Sequence, residues 1–117
     1  MVYENDAVFA FLDAKPVNNG HTLVVPKEHF SNLYELPDSL ISKLSIAIRD
    51  LSVSIKKAMN ADGINIEMNN DAVAGQVIFH AHFHIIPRFD GDGLRHLPGK
   101  EFSKEKMEEI LGKIKST

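Results

Sequence analysis

Apolar residues change their spacing several times along the chain, and each change marks a predicted element. AVFAFLDA (residues 7–14) is dense in apolar and aromatic side chains and closes at Asp13 and Pro16, which predicts a buried strand. KPVNNG (residues 15–20) is a turn cluster with Asn-Asn-Gly as its sharpest signal, and HTLVVP (residues 21–26) is a β-branched second strand ended by proline. The period then lengthens. Leu40, Leu44, Ile48, Leu51, Ile55 and Met59 recur at intervals of three and four, predicting one amphipathic helix with Pro37 near its start and Gly63 just past its end. INIEMNN (residues 64–70) returns to alternation as a third strand, and QVIFHAHFHIIPR (residues 76–88) reads as a fourth, longer one. A Gly- and Pro-rich loop and a short helix starting near Ser103 complete the chain. Strands that follow one another across tight turns, with one long crossover helix, predict an α+β fold. Its sheet is mostly antiparallel, with four or five strands.

The fourth strand carries the unusual chemistry. Three of the chain's six histidines, His80, His82 and His84, stand at alternate positions. Strand geometry sends alternate side chains to opposite faces, so these three and Ile86 share one face while Phe79, Ala81, Phe83 and Ile85 share the other. The second set reads as core, leaving the histidines to solvent or a pocket. Two kinds of chemistry suit such a strip. Neighbouring alternate residues lie about 6.5–7 Å apart, close enough for His80 and His82 to share a metal, although about 13 Å separates the outer pair. Equally, neutral imidazole is a good nucleophile near pH 7, and donors flanking it would stabilise the charge that spreads over a phosphoryl transition state. The local pattern alone leaves both open.

Composition narrows the setting. The 117 residues, 44% of them hydrophobic, contain no linker, repeat or low-complexity tract and predict a single domain spanning residues 1–117. A formal net charge of −3 supplies no basic field, so no long nucleic acid is expected as a partner. With no cysteine there is neither a disulfide framework nor a thiolate metal site. No apolar run reaches the ~20 residues of a membrane span, so no membrane partner is expected and a cytoplasmic location is.

The motif as a whole resembles the histidine triad (HIT) family. HAHFHII fits that family's His-x-His-x-His-x-x signature, with Gly75 and Gln76 before it and Pro87 and Arg88 after it. FLDAKPVNNGHTLVVPKEH (residues 11–29) is similar to the family's strand–turn–strand segment, and MNND (residues 68–71) occupies the place of its Asn-bearing strand end. The likeness runs from about Tyr3 to Leu94. It implies a nucleotide hydrolase in which His82 attacks the α-phosphate of a nucleoside phosphoramidate, an adenylate or a dinucleoside polyphosphate, and water then releases the nucleoside monophosphate from a nucleotidyl-histidine intermediate. By the same resemblance His84 binds the phosphate, His80 orients its neighbours and His21 approaches from the adjacent strand. Asp13 takes the ribose hydroxyls, Asn69 and Gln76 donate near the phosphate, and Phe11 and Leu12 line the base pocket. It also implies a homodimer built on the long helix and one sheet edge. Two other readings stand beside it: a metal-dependent hydrolase using His80 and His82, and a non-catalytic nucleotide-binding protein.

The chain departs from that family in two places. Relatives carry a further segment before YENDAV, in many microbial members with a Cys-x-x-Cys that completes a zinc site with His29 and His80. Two imidazoles are half a tetrahedral set, so no structural metal and no cofactor are expected here. Val77 stands where many relatives place Ser or Thr beside the leaving group, and valine has no hydrogen to donate. His96, in the loop after the motif, reads as ordinary surface.

Overall fold

The computed structural model describes residues 1–117. Five strands form one antiparallel sheet in the order β1-β2-β3-β5-β4: β1 (Tyr3–Glu4), β2 (Val8–Leu12), β3 (Thr22–Pro26), β4 (Gly63–Glu67) and β5 (Phe83–Arg88). Two helices, α1 (Asp38–Met59) and α2 (Lys104–Lys115), complete an α+β fold. The predicted fold class and the three- and four-residue period of the long helix agree with this architecture. The two-residue edge strand β1 was not predicted. It lies against Phe9 and Ala10, and so short a segment carries no alternation to read.

α1 lays its apolar stripe across one face of the sheet. Leu40, Leu44, Ala47 and Ile55 are buried against Val8, Ala10, Val24 and Ile85, the last four completely enclosed. Asp38 in the first turn and Lys56 and Lys57 in the last complement the helix dipole. The helix stops at Asn60 rather than at Gly63. Asn60 adopts the left-handed conformation (φ 52°), its N–H closing on the carbonyls of Lys56 and Lys57, while Gly63 opens β4. Asparagine tolerates that conformation better than most residues, so a glycine was not required. At the other end of the chain, Ser103 caps α2 by accepting from the Lys106 N–H at 3.1 Å.

The fourth predicted strand is half as long as expected. Residues 76–82 are not in the sheet, and only Phe83–Arg88 is. The physical reason is the lack of a neighbour: β3 pairs no further than Val24 with Phe83, and β4 ends at Glu67 opposite His84. Upstream, the backbone is bent by Gly75 (φ 99°) and by a single helical turn at Ala72–Ala74. The third predicted strand is shortened in the same way, leaving Met68 and Asn69 beyond the ladder. The strict alternation therefore fails before residue 83. Phe79, expected in the core, is 52% exposed, whereas Ile86 keeps its expected place on the face of His84.

Candidate active site

The face of the sheet opposite α1 carries the chemistry. Phe83 and Ile85 point into the core, so His84 and Ile86 face the other way. Register places Leu23 of β3 and Glu67 of β4 on either side of His84. On β2 the same face receives Phe9 and Phe11, with Asp13 following in phase. Leu12 falls on the opposite face and is 61% exposed, so of the two expected base-pocket residues only Phe11 stands on the site's side.

Asp13, His21 and His84 form one polar chain. His21 is buried at the mouth of β3, where its Nδ1 accepts from the Val17 N–H at 3.0 Å. The neutral ring therefore carries its proton on Nε2, which lies 2.9 Å from His84 Nδ1 and 3.6 Å from the Asp13 carboxylate. His84 accepts at Nδ1 and keeps its own proton on Nε2, the nitrogen directed away from His21. Asp13 spends its other oxygen on the Lys15 N–H at 2.9 Å, so it both shapes the turn and faces His21. The three donor atoms converge within 4.8 Å, a spacing a divalent cation would accept. Ligation through His21 Nε2 would need its proton moved to Nδ1, against the Val17 N–H that already donates there. The arrangement suits a relay of hydrogen bonds better than a metal.

His82 has the complementary tautomer. Its Nδ1 lies 2.8 Å from the His80 carbonyl, which can only accept, so the proton sits on Nδ1 and the Nε2 lone pair is free. The ring stands 5.1 Å from that of His84, nearly edge-on. Between them they present a nucleophilic nitrogen beside a donor N–H.

The His80 side chain does not join this pair. Its Nε2 donates to the Pro26 carbonyl at 2.9 Å, and its Nδ1 meets that of His29 at 2.9 Å. The three histidines thus serve two separate places, because the backbone at residues 80–82 lies outside the ladder that alternation assumed. His80 orients His82 through its carbonyl rather than its ring. His80 and His82 do not converge as the metal reading requires. His29 and His80 do bring two nitrogens together, half of a tetrahedral set.

The remaining residues divide between scaffold and site. Gln76 is buried and fully engaged: it donates to the carbonyls of Ser31 (2.6 Å) and Ile78 (3.1 Å) and accepts from the Asp71 N–H (2.9 Å). In this structure it closes the loop that delivers the histidines, and no donor is left over for a ligand. Asn69 is held only loosely, 3.5 Å from the Gly75 carbonyl, so its amide remains available. Val77 is 85% exposed. Beyond β4, an open cleft of about 660 Å³ is lined by Glu67, Asn69, Arg95 and His96 among others, and His96 is exposed there, as expected of a surface residue. A second groove of about 330 Å³, between Tyr3 and the Ile46–Leu51 side of α1, belongs to other elements. Sequence reasoning missed Glu67, although alternation within INIEMNN puts it on the polar side with Asn65. It also missed the Val17 amide, which no side-chain pattern reveals.

Burial lowers the proton affinity of both His21 and His84 below the ordinary 6.5. For His84 the neighbouring His82 and His21 push the same way, while Asp13 and Glu67 oppose. A histidine held neutral by the fold contributes stability that is complete above pH 6.5. That contribution is lost as pH falls from 6.5 through the lowered folded value, because the unfolded chain takes up the proton first. Asp92 is held far below the usual carboxylate range by Arg88 and by the Phe89 and Leu94 amides, so its loss belongs to a more acid window. The melting temperature is therefore expected to fall between pH 6.5 and 5, and less steeply in His84→Asn than in the parent. Equal slopes in a calorimetric pH series would refute this assignment.

A family model described as the HIT domain matches residues 1–91. The chain belongs to the HIT family. It is 46% identical over 120 residues to an uncharacterized HIT-like protein of Saccharolobus solfataricus, covering 100% of this chain and 86% of that one. Among solved structures, a Streptococcus mutans protein superposes with a TM-score of 0.92 at 37% identity, over 98% of this chain and 74% of that one. The adenylylsulfatase HINT3 of Arabidopsis thaliana is 43% identical over 93 residues, which are 80% of this chain and 47% of that protein. The HIT fold thus includes at least one named hydrolase of an adenylyl compound. No helix here is long and apolar enough to cross a membrane.

Proposed function

We propose that this HIT protein is a nucleotide hydrolase that works through a covalent nucleotidyl intermediate on His82. Its substrates are nucleoside phosphoramidates, adenylates or dinucleoside polyphosphates. The observation that carries the reading is the 2.8 Å contact between His82 Nδ1 and the His80 carbonyl, which leaves Nε2 unprotonated beside the His84 ring. In the first step the Nε2 lone pair forms a bond to the α-phosphorus as the bond to the leaving group breaks, and the leaving group departs with the electron pair, an amine taking its proton from solvent. His84 Nε2–H donates to a non-bridging oxygen, and His21, backed by Asp13, holds the other side of that ring. In the second step water attacks the same phosphorus and loses a proton to solvent, His82 recovers its lone pair and the nucleoside monophosphate leaves. Phe11 faces the site as an apolar surface for the base, and the Asp13 oxygen facing His21, held only at 3.6 Å, would accept from the ribose. The enzyme acts in this reading as a cytoplasmic homodimer, with no cofactor.

The direct test is chemical trapping. A slow adenosine substrate, quenched by denaturation during turnover, is expected to leave an acid-labile adenylyl group on the peptide containing His82. A burst of product without any modified peptide would sink the covalent mechanism.

Val77 gives a second prediction. A hydroxyl at this position would donate to a departing amine or oxygen, which valine cannot do. Val77→Ser is expected to raise kcat on an adenosine phosphoramidate by about 10-fold, the scale of one modest hydrogen bond. No gain in steady-state assays would show that the leaving group departs unassisted from this side.

A further inference from the structure

Beside His84 stands a charged side chain that the proposed reaction does not use. Glu67 is the Cα partner of His84 in the β4–β5 ladder, so the two side chains lie next to one another on the open face, about 5 Å apart at Cβ. Its carboxylate makes no ion pair. The nearest cation of the framework, Arg88, is already committed: it donates to both oxygens of Asp92, to Asn65 Oδ1 and to the Leu94 carbonyl. From Glu67 the cleft of about 660 Å³ runs between β4 and the Arg95–Leu97 segment, with Asn69 and Ala74 also on its wall. A smaller cavity of about 160 Å³ joins Glu67, Ile86, Leu94 and Arg95 on the same face. A group leaving a phosphate held at His84 therefore has open space beside Glu67.

A free carboxylate next to a phosphate-binding histidine is a cost for an anionic substrate. At about 7 Å, two like charges weaken binding roughly 3-fold in a water-like dielectric and up to about 60-fold at an effective dielectric of 20. An exposed residue such as Glu67 belongs near the lower end. The same field becomes an attraction when the leaving group itself carries a cation. Resting on the hydrolase reading above, we infer that Glu67 determines specificity by selecting nucleotides whose leaving group bears a positive charge, and by disfavouring anionic leaving groups such as sulfate or polyphosphate. Arg95 lines both cavities as well, but it forms no salt bridge with Glu67. An ammonium group close to the scissile bond meets Glu67 first.

The test uses the full chain and three adenosine 5′-phosphoryl substrates: a phosphoramidate of a diamine with a free ammonium, the phosphoramidate of a neutral amine of equal length, and adenylyl sulfate. The parent is expected to favour the cationic over the neutral substrate by about 5-fold in kcat/KM, carried mostly by KM and weakened by salt. Glu67→Gln is expected to bring that ratio to about one, and Glu67→Lys to invert it and to favour adenylyl sulfate. An equal rate for cationic and neutral substrates in the parent would overturn the inference while leaving the hydrolase reading intact. So would a uniform loss on all three in Glu67→Gln accompanied by a shifted pH profile, since Glu67 would then act through the protonation of His84. Failure to turn over any of the three, with no label on His82, would remove both.

Discussion

His82→Ala is expected to lower kcat on an adenosine phosphoramidate by at least 10⁴-fold, with the melting temperature nearly unchanged. The ring is only partly buried and its one internal hydrogen bond is to a carbonyl that water can satisfy, so the fold loses little. The reaction loses its nucleophile, and no neighbour can replace it. His84 presents an N–H rather than a lone pair, His21 is turned inward by the Val17 amide, and His80 is spent on Pro26 and His29. Removing the attacking group from a covalent mechanism ordinarily costs on the order of 10⁴- to 10⁶-fold. Rates should be measured with EDTA present. A metal-dependent hydrolase would lose activity to the chelator in the parent, whereas the mechanism proposed here would not. Retention of more than a tenth of the parent rate in His82→Ala would rule out the assignment of the nucleophile.

Gly20→Ala is expected to destabilise the chain by about 2–4 kcal/mol and to slow turnover as well. Gly20 sits at φ 88°, where a Cβ costs about 1–2 kcal/mol in left-handed conformations. That Cβ would also lie 2.6 Å from Met59 Cγ and 3.2 Å from Pro87 Cγ. Overpacking of this kind costs about 1–3 kcal/mol, at the lower end here because a methionine side chain can swing aside. Functional loss follows from position: His21 is the next residue, and Thr22 Oγ1 donates to the Gly20 carbonyl at 2.9 Å. Denaturant titrations of Gly20→Ala, Met59→Ala and the double variant separate the two causes. The steric part should be recovered in the double variant as a coupling of about 1 kcal/mol, and the backbone part should persist. A double variant whose losses simply add would show that Met59 is not the obstacle.

Legibility in the chain followed how local each cause was. The period of α1, the turn before His21 and the cap at Ser103 depend on residues within a few positions of one another, and they appear in the structure close to where the pattern put them. The strand carrying the histidines was overextended because Gln76–Ala81 has the composition of a strand. Whether such a segment enters a sheet depends on a neighbouring edge, and β3 and β4 end before reaching it. Gln76 shows the same limit: it looks like a donor beside a site, but the carbonyls of Ser31 and Ile78 and the amide of Asp71 claim it.

The sequence by itself determined that this is an α+β chain of the HIT family with histidines of unusual spacing, since amphipathic periods and a dense motif need no partner to be read. Only the tertiary structure decided which nitrogen of each histidine carries the proton and what its ring touches. Imidazole has two nitrogens, and which one keeps the proton depends on what the other touches. His82 meets a carbonyl two residues back, His84 meets His21 across the β3–β5 pair, and His80 meets Pro26 and His29 from a distant strand and loop. Their identity was written in the chain, whereas their tautomers and their separation into the His82–His84 pair and the His80–His29 pair come from contacts made across the fold.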